Sequence, residues 1–255
     1  MTLRHRTVLP ADHLWLRVCR PDWEDPFDPG FAARRGGRWT PPGTWPTLYL
    51  SRDVATARLQ VDRLLEGTSV APDDLTDDAF ELVGARLPRR QDAADVVTSQ
   101  GVAAAGLPAA YPDDGHGGRV AHETCWPVAV EAHDSGLDGV ECRSAASVRE
   151  TGRELAWWPR GRRPRPRATR VPYGGWRSAD VTDARALLAD GGPPAPGRPM
   201  WARRVEPAQP AAAGLGSFGS PRTRSPTMLR WISAVPPQMV SEREKKNEAC
   251  MSLTG

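Results

Sequence analysis

Residues 13–20, His-Leu-Trp-Leu-Arg-Val-Cys-Arg, alternate apolar and polar positions and read as a strand. Residues 47–51, Thr-Leu-Tyr-Leu-Ser, form a second, shorter one. Asp53 then stands where an N-cap belongs, and Val54, Ala57, Val61, Leu64 and Leu65 recur at helical spacing, which predicts a helix over Val54–Leu65. Alternation returns at residues 80–87, again a strand. Residues 92–105 read as a short helix and residues 123–133 as a second, ending near Gly136. Residues 139–144 and 154–158 read as strands. Helices and strands mix without a regular βαβ rhythm, so the pattern predicts an α+β domain rather than a doubly wound sheet.

Between the first two strands, residues 21–46 are rich in Pro, Gly, Asp and Trp. A loop of that length in a compact domain is usually functional, and its Trp and Phe content favours order. After Pro159 the character changes. Residues 160–170, RGRRPRPRATR, are basic and broken by prolines, and residues 180–188 suit one short helix. Beyond residue 189 the chain is Pro, Ala, Gly and Ser with little to bury, which predicts disorder. The organisation expected is therefore a domain over 12–159, a basic linker over 160–188 and a low-complexity tail over 189–255. Within that tail, residues 227–240 are locally apolar but lack partner elements.

Charge sharpens the division. Residues 1–157 carry 17 Lys/Arg against 24 Asp/Glu, a formal −7, while the remainder carries +10. Four dispersed cysteines, Cys19, Cys125, Cys142 and Cys250, have no CxxC pairing and suit reduced thiols. The N-terminus lacks an apolar region of signal-peptide length. No stretch approaches the roughly 18 apolar residues of a membrane span. A cytoplasmic protein with no membrane partner is expected.

Chemistry concentrates at Gly36-Gly37-Arg38-Trp39, followed by Pro41-Pro42-Gly43 and Leu48-Tyr49-Leu50-Ser51. Paired glycines allow close backbone approach or positive φ, and an arginine fork suits a pyrophosphate. A tight turn with a solvated arginine and a packed tryptophan explains the same residues equally well. Gly214 to Gly219 matches GxGxxG, but it follows a linker and precedes no helix, so it fails as a dinucleotide fingerprint. His116, His122, Cys125 and His133 fit no common zinc spacing, so no metal is expected. His122 and Cys125 at i,i+3 lack an orienting acid for nucleophilic chemistry. Trp126, Trp157 and Trp158 read as core or as walls of a cleft.

The order Leu16-Arg17-Val18, Gly-Gly-Arg-Trp, Pro-Gly and Leu-Tyr-Leu-Ser before a helix resembles the RES domain family. Gly139-Val140-Glu141-Cys142-Arg143-Ser144 resembles that family's Gly-rich strand ending in Arg-Ser, and Leu155-Ala156-Trp157-Trp158 its closing strand. The resemblance spans roughly residues 14–159. It implies an ADP-ribosyltransferase-like mixed sheet with flanking helices, a toxin paired with an Xre-type antitoxin, and NAD+ as substrate, with cleavage of its nicotinamide–ribose bond. Water, phosphate or a protein side chain would be the acceptor, and self-association is left open. By motif position Arg17, Tyr49 and Gln60 would be catalytic, and Gly37, Arg38, Trp39 and Ser144 would bind the nucleotide. Arg17 and Arg38 would hold phosphates, Tyr49 the nicotinamide end, and Gln60 and Ser144 the ribose.

Gln60 departs from the family, which has Glu there. Breaking the bond develops oxocarbenium character, and losing one preorganised charge commonly costs on the order of 10²–10³ in rate. The departure allows a weakened NAD-binding module as the alternative, or another acid in place of the family's; Glu141, alternating with Val140 and Cys142, is a candidate. A second alternative is a nucleic-acid-associated protein working through its basic run.

Overall fold

The computed structural model describes residues 5–147 and 152–189. Its strands are β1 (Arg6–Leu9), β2 (Leu14–Cys19), β3 (Leu48–Ser51), β4 (Glu81–Arg86), β5 (Gln91–Val96), β6 (Gly139–Arg143), β7 (Arg153–Trp157) and β8 (Arg165–Pro172). Its helices are α1 (Gly30–Arg35), α2 (Val54–Leu65), α3 (Ser99–Ala104), α4 (His122–Asp134) and α5 (Ala184–Leu187). The strands make one sheet in the order β1-β5-β6-β7-β3-β2-β4-β8. Among the described residues only β5 and β6 pair in parallel, and α3 and α4 lie in the crossover between them. This is the α+β class expected, a mixed sheet with flanking helices. The expectations for 190–255, including Cys250, the GxGxxG match and the apolar stretch 227–240, lie outside the described residues.

The two faces of the sheet are buried differently. On one face, Ala94, Val96, Val140, Cys142 and Ala156 pack with Val102 of α3 and with Cys125, Val128, Ala129 and Ala132 of α4. On the other, Trp15, Cys19, Leu48, Leu50, Val83, Ala85, Ala93, Leu155 and Trp157 form one cluster with Leu9 and Phe27. Ala93 of β5 and Ala85 of β4 stand five strands apart in the sheet order. Their cluster runs across the sheet through β7, β3 and β2, on the face opposite Tyr49 and the α4 contacts.

α2 follows its sequence signals closely. Asp53 caps it by accepting from the Thr56 N–H at 2.7 Å, and Val54, Ala57, Val61 and Leu65 are buried. The helix expected over 92–105 is instead strand β5, a turn and α3. Ala93, Ala94 and Val96 are buried in the sheet, and the Asp95 carboxylate bends the chain by accepting from Val97 N, Thr98 N and the Thr98 hydroxyl. Thr98 then caps α3 through Gly101 N. Burial of alanines between neighbouring strands outweighs their helix propensity.

The segment expected as a basic linker holds edge strand β8, paired to β4. Only Val171 of β8 is buried, and prolines are tolerated on an edge. Tyr173 and Trp176 continue into the core, and Arg58 of α2 clamps the segment 176–181 by donating to the carbonyls of Trp176, Ser178 and Val181. The short helix expected within 180–188 is α5.

Candidate functional site

Strand alternation sorts the candidate residues. Tyr49 pairs with Ala156 and Ser51 with Glu154, so Tyr49, Ala156 and Glu154 share the helical face with Val140 and Cys142. α2 packs on β2 and β3, and α4 on β6. A polar cluster forms there from Tyr49 of β3, Glu154 of β7, Gln60 of α2, Ser144 just after β6 and Arg38 of the turn before β3.

The Gly36–Thr40 turn is built against Tyr49. Gly36 has φ 78°, a conformation that favours glycine. Gly37 N and Thr40 O bond at 2.8 Å to close the turn. The Tyr49 hydroxyl accepts from the Trp39 N–H at 2.9 Å and lies 3.1 Å from the Thr40 hydroxyl, which itself donates to Thr47. A Cβ at Gly37 would stand 2.4 Å from the Tyr49 hydroxyl oxygen. The close approach that demands glycine here is therefore to a tyrosine of the chain itself. Trp39 is core, 1% exposed, and its indole N–H donates to the Cys142 sulfur at 3.1 Å. Trp126 of α4 donates to the Gly37 carbonyl at 3.0 Å. Trp39 and Gly37 thus shape the site by holding the turn. Burial pushes the Tyr49 phenol up to about 12, so it stays neutral at physiological pH.

That turn presents Arg38. Its Nη1 donates to the Val120 carbonyl at 2.6 Å. A guanidinium carries five N–H donors in a fixed fork, so this bond fixes the side chain without exhausting it. Gln60 of α2 donates from Nε2 to Glu154 Oε1, and the Ser144 hydroxyl donates to the same oxygen. Burial pushes the Glu154 carboxyl above its usual value, against the pull of Ser144, Arg38, Gln60 and the Ala145 N–H. Ser144 is buried, whereas Arg38, Tyr49, Gln60 and Glu154 each retain some exposure. A neutral solute reaching this cluster would meet one carboxyl and one fixed guanidinium on a water-poor floor, where charge acts strongly.

Arg17 is not in the cluster. Leu16 pairs with Ser51, so Arg17 turns to the opposite face. There its guanidinium lies 5.3 Å over the Trp23 ring, and burial lowers its pKa. Glu141 also faces that side: it pairs with Leu155, bonds Arg52 in an ion pair and accepts from Thr7. The acid in the cluster is Glu154. Its strand was legible, but nothing in the sequence linked it to Gln60. The buried Cys125 thiol is pushed up by burial, which leaves it a poor nucleophile. Among the described residues no group of three or more His, Cys, Asp or Glu could hold a metal. No helix among them is long and apolar enough to cross a membrane.

The fold and the cluster together define an α+β domain with an acid-centred polar site between two helices on the helical face of a mixed sheet. Residues 14–177 match the family model described as the RES domain. The chain belongs to the RES domain family. Among solved structures it is similar to a chain in the crystal structure of the M. tuberculosis MbcT–MbcA toxin–antitoxin complex, at 23% identity and a TM-score of 0.53, covering 65% of this chain and 88% of that one. That likeness is one of fold. The search of curated proteins gave no match.

Proposed function

We propose that this chain is the toxin of a toxin–antitoxin pair, and that its polar cluster takes NAD+ and breaks the nicotinamide–ribose bond. The observation that carries this reading is the Glu154 carboxyl, bonded by Gln60 and Ser144, with Arg38 and Tyr49 as its electrostatic neighbours. Those four come from a turn, from β3, from α2 and from the residue that follows β6. Family membership and a neighbour solved as a toxin–antitoxin complex support the biological setting. In this reading Arg38 holds the pyrophosphate, the Tyr49 ring walls the nicotinamide end, and Gln60 and Ser144 face the ribose. Arg17, on the far face, takes no part in the chemistry. The partner is an antitoxin of the Xre type that covers the cluster.

The rival reading through nucleic acid loses its main support. Arg160 donates to the carbonyls of His133 and Leu137, Arg162 pairs with Asp138, Arg163 lies 3.4 Å from Asp25, and Arg170 lies 3.1 Å from Glu81. The basic run is largely bound to its own domain.

The test is NAD+ loss over time with the purified full chain, beside Arg38→Ala. Nicotinamide release that falls at least tenfold in the variant, with a cooperative melt retained, is the expected result. No release and no NAD+ binding by calorimetry would overturn the reading.

A further inference from the structure

The cluster contains an acid, but not at position 60. Gln60 Nε2 and Glu154 Oε1 are hydrogen-bonded across 94 residues of sequence, from α2 to β7. An amide and a carboxylate are nearly isosteric. A carboxylate placed at 60 and one placed at 154 would therefore occupy adjoining volumes and present negative charge to the same space. The Glu154 oxygen also accepts from Ser144, and the Ala145 N–H adds a third donor. Donors that bond the ionised form hold a carboxylate rigidly and aim it. Side chains facing Glu154 from the packed elements are Arg38 on the turn, Tyr49 on β3, Tyr111 before α4, Cys142 and Ser144 at β6, and Gln60 on α2. Arg38 is the cation of that set, and its charge favours ionisation.

Resting on the NAD+ reading above, we propose that Glu154 is the catalytic carboxylate of this chain and that Gln60 and Ser144 are its positioning residues. As the bond from ribose C1′ to the nicotinamide nitrogen breaks, its electron pair leaves with nicotinamide, which departs neutral. The positive charge that develops on the ribose is met by the Glu154 carboxylate. With water as acceptor, its oxygen bonds C1′ and its proton passes to solvent, giving ADP-ribose, nicotinamide and H+ from NAD+ and water. The glutamine at position 60 is then a relocation of the charge and not its loss.

Three full-length variants test this against the parent, each scored for nicotinamide release, NAD+ affinity by calorimetry and thermal unfolding. Glu154→Gln should lose about 10²–10³-fold in kcat with NAD+ affinity within a few-fold and unfolding unchanged. The parent's rate should fall on acidification with a midpoint above that of an ordinary glutamate, and Glu154→Gln should lack that limb. The swap Q60E/E154Q, which returns the charge to α2, should recover at least tenfold over Glu154→Gln. Ser144→Ala should shift the acid limb upward by removing a donor. Full activity in Glu154→Gln overturns the assignment while the NAD+ reading stands. A loss that the swap does not recover, or a parent that binds NAD+ without turnover, also overturns it. A parent that neither binds nor cleaves NAD+ overturns both.

Discussion

Gly37 occupies a position where a methyl group has no room. A Cβ there would lie 2.4 Å from the Tyr49 hydroxyl oxygen, 2.9 Å from Cζ and 3.0 Å from Cε2, where carbon contacts prefer about 3.5–4.0 Å. Gly37 is not among the residues with positive φ, so alanine meets no backbone penalty and the effect is steric. Tyr49 cannot swing aside freely, because its hydroxyl holds Trp39 N and lies against Thr40. If the turn lifts instead, Trp126 loses the Gly37 carbonyl and Trp39 loses Cys142. Overpacking typically costs about 1–3 kcal/mol and an orphaned buried donor about 1–3 kcal/mol. Partial relief of one by the other suggests about 2–4 kcal/mol for Gly37→Ala. At about 2–4 °C per kcal/mol for a domain of this size, Tm should fall by about 5–15 °C in a circular-dichroism melt. Tyr49→Phe removes the closest atom, so the double variant should be less destabilised than the sum of the singles by about 1 kcal/mol or more. A fall under about 2 °C for Gly37→Ala, or strict additivity of the pair, refutes the reasoning.

Asp95 titrates in the opposite sense to Glu154. Burial raises its pKa, but bonds from Thr98 and Val97 outweigh it and leave the net value below normal. A depressed carboxyl pKa stabilises the fold above its unfolded value, and that contribution is lost as pH falls through the folded value. Asp95→Asn should therefore destabilise at pH 7 in urea melts and progressively less below about pH 4; an equal deficit at both ends would contradict the account. Trp157 donates to Gln91 Oε1 at 2.5 Å inside the core, so Trp157→Phe should cost about 1–3 kcal/mol by orphaning that acceptor, read from the shift in denaturant midpoint. Cys19, Cys125 and Cys142 are buried, and Cys19 is pushed up to about 11 by burial. Peptide mapping after a brief iodoacetamide pulse at pH 7.5 should find these three unmodified; rapid labelling of any of them would show that its burial is wrong. Ending the chain at Pro159 removes β8 together with Tyr173 and Trp176, and should abolish a cooperative melt, whereas the 160–188 segment would be dispensable if it were a linker.

Local signals carried what they physically encode. The alternation at 13–20 and 80–87, the Asp53 cap and the spacing of Val54, Ala57 and Val61 are properties of neighbouring residues, and β2, β4 and α2 appear where those signals lie. Two elements were hidden by composition. The alanines of β5 favour a helix in isolation and become strand through pairing with β1 and β6. The arginines and prolines of β8 resemble a solvated tail, yet they suit an edge where only Val171 needs burying and where basic side chains discourage further pairing. In the site, the motif residues Arg38, Tyr49, Gln60 and Ser144 were legible and do converge. Arg17 was legible as a motif residue, but its face depends on the register of Leu16 with Ser51, which no local pattern states.

The acid shows why position in a motif and position in space must be argued separately. Periodicity points to Glu141, on a strand adjoining the site, and parity alone turns it away: it pairs opposite Leu155, on the other face of the sheet, where Arg52 neutralises it. Glu154 is one residue before Leu155 and so faces the other way, into the reach of Gln60 and Ser144. A strand that shows one face to a dry core and the other to a polar cluster leaves a single residue of register to decide which carboxylate is structural and which can do chemistry. The same reasoning explains why Gln60 matters despite carrying no charge. An amide that donates to a carboxylate holds it without repelling it, whereas a second glutamate beside Glu154 would force the pair to share a proton. The residues at 60 and 154 are therefore coupled, and substitution at either one changes what the other should be.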